Sequence, residues 1–233
     1  MASLCVRVAT YNIRHGLGSD GRLDLARILP VLQESEADIV CLQEVDKGLP
    51  RSAFLNQAAW LAARLGFSFA FVSNFGLPIA GMGNALLSRW PFYSTSNTRL
   101  PFAGEPRGLL WIEVDHPEAG TLAFFCTHWG LSESQRLDQA QVCASDVMAA
   151  KIPAIFCGDL NATPDATEVS LLLRAAALRD AGPADSLTYP AHQPESKIDY
   201  ILFTQHWKLN DVLVRSTLAS DHLPIIAEFA LVM

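Results

Sequence analysis

Apolar and polar positions change places in short runs along most of this chain. Residues 5–13 alternate as a strand, with Cys5, Arg7 and Ala9 on one side and Val6, Val8 and Thr10 on the other. Over 23–36, Leu25, Ile28, Leu29 and Leu32 recur at helical spacing, and Pro30 inside that run predicts a kink. The Ile-Val-Cys-Leu run in 38–43 predicts a buried strand. Residues 52–65 predict a helix opened by a serine cap and closed at Gly66. Strands are expected at 67–73 and 84–88, joined by a loop rich in glycine and proline. A hairpin is expected from 108–115 and 121–126, turning at 117–120. Ser132-x-x-Gln135 has the capping-box pattern for a helix reaching about Ala150. A short strand at 154–157 precedes Thr163-Pro164, which predicts a helix with proline at its first position. Residues 198–203, 211–214 and 225–232 are strand-like.

Strands therefore outnumber helices by about two to one and come mostly in adjacent pairs. Strict strand–helix–strand alternation is missing, so a mixed α/β (α+β) architecture is expected, with two packed sheets and helices on the outer faces. Half of the 233 residues are hydrophobic and 18% are charged, enough apolar material for a sizeable core. Without a composition shift or repeat, 1–233 reads as one domain. The net charge of −7 and the lack of a basic run disfavour a sequence-independent grip on long duplex nucleic acid. Cys5, Cys41, Cys126, Cys143 and Cys157 form no Cys-x-x-Cys pair, and their odd number predicts reduced, buried thiols. Residues 1–10 lack the pattern of a cleaved leader, and no apolar run approaches the roughly 20 residues of a membrane span. A cytoplasmic location without a transmembrane segment is the expectation; oligomeric state is not readable.

Chemistry gathers at the ends of the strand-like runs. Thr10-Tyr11-Asn12, Gln43-Glu44, Thr127-His128, Gly158-Asp159-Leu160-Asn161, Lys197-Ile198-Asp199-Tyr200 and Ser220-Asp221-His222 each close or follow one. No one of them is specific, but their order and context are. Asn12, Glu44, Asp159, Asn161, Asp199, Asp221 and two histidines could converge on one rim of a sheet. Burying that many unpaired polar groups costs several kcal/mol each, so a cleft holding a cation explains them better than a core.

As a set these motifs resemble the endonuclease/exonuclease/phosphatase superfamily, and the likeness runs from Thr10 to Pro224 with every motif in the family's order. Gly83-Asn84-Ala85-Leu86-Leu87-Ser88-Arg89, Glu105-Pro106-Arg107-Gly108 and Thr127-His128 are similar to its compact bacterial members and their lipid- or phosphatase-type relatives. The resemblance implies a deoxyribonuclease I-like four-layer sandwich of two mixed sheets flanked by helices. It implies Mg²⁺, with Mn²⁺ as a substitute, on Glu44, with Asn12 and Asp221 completing the metal set. A hard cation of this kind favours carboxylate oxygens and water. Asp159 would orient or deprotonate the attacking water, and Asn161 would donate to a phosphoryl oxygen. Asp199 would fix the tautomer of His222, which contacts the phosphate or accepts the water's proton. His128 would donate to a non-bridging oxygen, while Arg107 and Asn84 would bind substrate phosphate.

The function implied is a Mg²⁺-dependent phosphoesterase acting on a small or lipid-like phosphate ester. Two alternatives stay open: a nuclease cleaving DNA or RNA, and a binding module that kept the fold and lost catalysis. Further residues that could line the pocket are Arg14, His15, Arg51, Trp129, Tyr189 and His192. Trp90, Phe92, Tyr93 and Phe102 read as core, or as a stacking platform for single strands.

Overall fold

Twelve strands sort into two mixed sheets in the computed structural model, which describes residues 4–232. Residues 1–3, part of the segment expected to carry no leader, lie outside the described residues. The first sheet holds β1 (Cys5–Asn12), β2 (Ile39–Lys47), β3 (Ser68–Leu77), β4 (Ala80–Ser88), β11 (Trp207–Val214) and β12 (Ile225–Leu231), in the order β11-β12-β1-β2-β4-β3. The second holds β5 (Phe92–Leu100), β6 (Arg107–His116), β7 (Gly120–His128), β8 (Ala154–Asp159), β9 (Arg179–Asp180) and β10 (Asp199–Phe203), in the order β5-β6-β7-β8-β10-β9. Each sheet has one parallel pair near its middle, β1 with β2 and β7 with β8; the other pairings are antiparallel. The carboxyl ends of β1, β2, β7 and β8 and the amino ends of β4, β6, β10 and β12 therefore emerge together.

Alternation along the strands builds three apolar layers. Val6, Val8, Ile39, Cys41 and Leu86 meet Leu110, Ile112, Phe124, Cys126, Cys157 and Ile201 between the sheets. Residues one position along point outward. Tyr11, Val40, Leu42 and Leu87 pack under α1 (Ile28–Ser35) and α2 (Gln57–Leu65). Leu109, Phe125, Phe156 and Leu202 pack under α3 (Glu133–Ala150) and α4 (Thr167–Ala175). This is the four-layer sandwich the resemblance implied.

Several local expectations are corrected. Pro30 does not kink α1, because the helix starts at Ile28 and Pro30 falls in its first turn, where the amide hydrogen has no helical partner. Asn56, not a serine, caps α2 by accepting from the Ala59 amide, and Gly66 closes it in the left-handed region at φ 73°. Ser132 stands at the N-cap of α3 without a side-chain bond, and Gln135 instead donates to the Ala103 carbonyl. Thr163-Pro164 forms a turn, and α4 begins at Thr167. The loop expected between β3 and β4 is mostly strand. Its glycines serve close backbone approach, since a Cβ on Gly83 would strike the Val72 carbonyl. β5 and β9 were not foreseen. Cys5 is exposed, while the other four thiols are buried and all five are free.

Candidate active site

Local irregularities aim the polar residues. Between Leu42 and Val45 β2 carries one residue more than its partner β4, where Ala85 and Gly83 are the matching positions, and Glu44 takes φ 54°. Such a bulge re-aims a side chain without ending the strand, and here it turns Glu44 toward Asn12. Asn12 closes β1 and is fully buried. Its Nδ2 donates to Glu44 Oε1 at 3.1 Å and to Asp159 Oδ2 at 3.0 Å, joining the two sheets. Its Oδ1 accepts from the Arg14 amide at 3.1 Å, and its carbonyl accepts from Ser220 Oγ at 2.7 Å.

Asp159, at the carboxyl end of β8, is the hub. Oδ1 accepts from the Asn161 amide at 2.9 Å, which leaves Oδ2 facing Asn12 Nδ2, His128 Nε2 at 3.4 Å and His222 Nε2 at 3.7 Å. Asp199 sits opposite Asp159 in the β8–β10 register, and its Oδ2 lies 2.9 Å from His222 Nδ1. The potential metal-donor atoms of Asp159, Asp199 and His222 all lie within 4.8 Å of one another. Asn161 reaches the hub through a turn at φ 48°, and its Nδ2 donates to the Trp129 carbonyl at 3.0 Å.

Negative charge is concentrated here. Burial, then the Asp159 and Asp221 carboxylates, hold Glu44 above the usual carboxylate range, against the Asn12 hydrogen bond. Burial works against a charged His222, but Asp199 and Asp159 more than offset it and lift the imidazole to about 10. Burial pushes His128 down to about 3, so its ring is neutral. Arg14 Nη1 pairs with Asp221 at 3.3 Å. Among the described residues the buried Asp199 Oδ1 has no partner. Four carboxylates thus face Arg14 and His222, and this excess of hard oxygen donors over positive charge fits a divalent cation.

A narrow recess opens beside the hub, lined by Glu44, Met82, Asn84, Glu105, Arg107 and His128 among others. Arg107 Nη1 meets Glu105 at 3.2 Å, while its buried Nε has no partner among the described residues. Asn84 Nδ2 donates to the carbonyls of Gly108 at 3.0 Å and Cys126 at 3.4 Å, tying the sheets together behind the recess. Of the other pocket residues expected, Tyr189 stands 4.9 Å from His222, ring centre to ring centre. Arg51 is instead bound to buried Asp46 through two 2.8 Å bonds. Trp129 is fully buried in the outer core, so it narrows no pocket wall. Tyr93 and Phe102 are exposed, and Trp90 and Phe92 pack at the far end of the inter-sheet core, which leaves no shared platform.

Two further residues support the site from behind, Gln139 from outside the motifs and Lys197 from within one. Gln139 is fully buried on α3; it accepts from the Gly130 amide at 2.8 Å and donates to the Pro101 carbonyl at 2.7 Å. It thereby pins the segments that follow His128 and precede Arg107. Its signal is a polar residue on the stripe of Cys143 and Val147. Lys197, 1% exposed, donates to Asp180 Oδ2 at 2.6 Å and to the Gly182 carbonyl at 2.5 Å, fixing the chain two residues before Asp199.

The sequence profile described as Endonuclease/Exonuclease/phosphatase family matches residues 9–222. The uncharacterized protein YbhP of Escherichia coli K12 is 33% identical over 171 residues, and the match covers 66% of each chain, just under two thirds of that relative. An endonuclease/exonuclease/phosphatase family protein from Bacteroides thetaiotaomicron superposes with a TM-score of 0.85 at 19% identity, covering 100% of both chains. The mannosyl-6-phosphatase of Bacteroides thetaiotaomicron VPI-5482 gives 0.83 at 20% identity, over 97% of this chain and 99% of that one. These two likenesses show the fold.

Proposed function

The chain belongs to the endonuclease/exonuclease/phosphatase family, whose members hydrolyse phosphoester bonds, and we propose that it is a divalent-metal-dependent phosphoesterase acting on a small or lipid-like phosphate ester. The observation that carries this reading is the single Asp159 oxygen faced by Asn12, His128 and His222, with Glu44 beside it. We take 1–233 as one working unit, because Asn12 and Glu44 come from one sheet and His128, Asp159 and Asp199 from the other.

Glu44, with Asn12 and Asp221, would hold Mg²⁺ or Mn²⁺. The Asp199–His222 contact is already a hydrogen bond, so that pair serves as a relay and leaves the cation to the Glu44 side. When bound, the cation supplies positive charge against the phosphoryl and leaving oxygens. Asp159 holds the attacking water in line with the phosphorus and takes its proton. His128 presents a neutral N–H toward the phosphoryl oxygens, and His222, oriented and kept protonated by Asp199, presents a charged one. Asn161 keeps one amide hydrogen for substrate beyond the one it gives Trp129. The Arg107 guanidinium, which lines the recess, supplies further donors there. Burial of Asn12 and Asp159 fixes these directions before substrate arrives.

Purified protein stripped with EDTA and resupplied with Mg²⁺ or Mn²⁺ tests the reading. The substrates are p-nitrophenyl phosphate, bis-p-nitrophenyl phosphate, inositol phosphates, phospholipids and plasmid DNA. Metal-restored turnover of the small or lipid esters, lost in Asp159→Ala, is expected. Turnover confined to DNA would replace this reading with the nuclease one, and Asp159→Ala at wild-type rate would sink the mechanism.

A further inference from the structure

A second hollow adjoins the catalytic recess and shares Met82 and Glu105 with it. It encloses about 500 Å³ and is walled by Leu49, Pro50, Phe75 and Met82, with Arg51 and Glu105 at its edge. That volume falls within the range of small-molecule sites, which are typically apolar with a few polar groups. The charge at the edge is already engaged. Arg51 is held in a two-bond clamp by Asp46, whose side chain is fully buried, and its Nη2 lies 3.2 Å from Met82 Sδ. An arginine so neutralised does not ask for a second phosphate; it pins Met82 as a wall. Phe75 and Met82 are cross-strand partners in the β3–β4 register, followed by Gly76 opposite Gly81, which leave that floor free of side chains. A Cβ on Gly48 would strike the Ile79 carbonyl, so the 48–55 segment abuts the tip of this hairpin. Around the same corner Phe54, Phe75, Leu77 and Ile79 are 70%, 51%, 62% and 76% exposed, a density of large apolar groups that marks a contact surface.

We propose that this hollow takes the apolar alkyl or aryl substituent of an amphiphilic phosphoester whose phosphoryl group sits between Glu44 and His128. This rests on the phosphoesterase reading and narrows its substrate class. The argument is continuity: Met82 and Glu105 line both recesses, so a group leaving the phosphorus on that side enters the apolar one directly.

The test is binding, by calorimetry, of butyl-, hexyl- and octylphosphonate below their micelle concentrations, to Mg²⁺-supplemented protein. Burying a methylene is worth about 0.8 kcal/mol, or about fourfold, and half-open walls reduce this, so affinity should rise about two- to fourfold per methylene. Phe75→Ser should abolish the gain with chain length and Phe75→Leu should keep most of it. Tyr93→Ser, exposed at the opposite end of the second sheet, should leave it intact. Equal affinity for butyl- and octylphosphonate, absence of binding throughout, or a gain that Phe75→Ser retains overturns the proposal. Sedimentation with phosphatidic acid vesicles assigns the source. Co-sedimentation that Phe75→Ser removes identifies a bilayer lipid, and its absence beside a chain-length gain identifies a free amphiphile. A chain-length gain without metal-dependent hydrolysis of any ester would sink the catalytic reading and leave the apolar site standing. Hydrolysis indifferent to chain length would do the reverse.

Discussion

Replacing Asp199 with asparagine isolates the charge that acts on His222. The two residues meet at 2.9 Å with Asp199 fully buried, and asparagine has nearly the same shape. Its amide oxygen can accept the same Nδ1 hydrogen, so the ring should stay in place while the negative charge disappears. Two unit charges about 4 Å apart at an effective dielectric of 20 interact by about 4 kcal/mol, equivalent to about three pKa units at 1.36 kcal/mol each. Asp159 and Asp221 still raise His222 in the variant, so its midpoint should fall from about 10 by one to three units.

The stability consequence has a definite sign. A histidine whose folded pKa lies above its unfolded value contributes stability that is complete below the unfolded pKa, about 6.5, and is lost as pH rises through the folded one. Metal-free Asp199→Asn should therefore be less stable than wild type at pH 6 to 7, by up to about 4 kcal/mol, and the gap should close toward pH 10. Histidine ring resonances followed by NMR give the midpoint, and urea unfolding at each pH gives the gap. Turnover should fall about 10–100-fold, the range for losing the partner of a ligating or catalytic histidine. An unchanged His222 midpoint, or a stability gap constant with pH, would refute the reasoning.

Glu44→Gln should reduce metal-dependent turnover by at least about 100-fold. In EDTA it should raise the melting temperature, because a carboxylate held above its usual range loses stability as pH climbs past its unfolded value; scanning calorimetry at pH 7.5 checks this. Lys197→Met leaves the half-buried Asp180 without its cation and should cost about 3 kcal/mol in urea unfolding, the lower end for a broken buried pair. Burial raises Asp180 and Lys197 opposes it, so the variant's Asp180 moves further up, and its deficit should grow as pH rises above about 4. A pH-independent loss would count against that pair. Gly83→Ala should cost about 1–3 kcal/mol through overpacking against the Val72 carbonyl, read as a lower urea midpoint with an unchanged slope.

The strands that carry chemistry were readable because each ends an alternating apolar run with a polar cluster, and a buried run that stops on Asn12 or Asp159 announces an edge. β5 was not, because Phe92–Leu100 is largely exposed along an outer strand, and its Ser-Thr-Ser-Asn-Thr run offers no apolar face. The β3–β4 segment misled because glycine marks both turns and tight backbone approach, and only the neighbouring Val72 carbonyl distinguishes them. The bulge at Glu44 exists only in the pairing of β2 with β4, so no reading of β2 alone reveals it. Lys197 lay within a motif, yet its burial depends on Asp180 and Gly182, irregular neighbours that sequence spacing does not bring near.

One consequence of the topology governs the site as a whole. Asn12 and Asp159 belong to different sheets, and their 3.0 Å contact is kept by whatever separates those sheets. Immediately beneath it Gln43 Nε2 reaches Thr10 Oγ1 at 3.2 Å and Cys126 Sγ at 3.3 Å, and Cys126 Sγ reaches the Leu42 carbonyl at 3.5 Å. Cys41 and Cys157 lie in the same layer. Small, weakly polar thiols let the sheets approach where larger side chains would hold them apart, and close-packed interiors transmit such a change instead of absorbing it. Cys41, Cys126 and Cys157 therefore act as spacers between the sheets, and the geometry of Asp159 is set from below by the core as much as by its own hydrogen bonds.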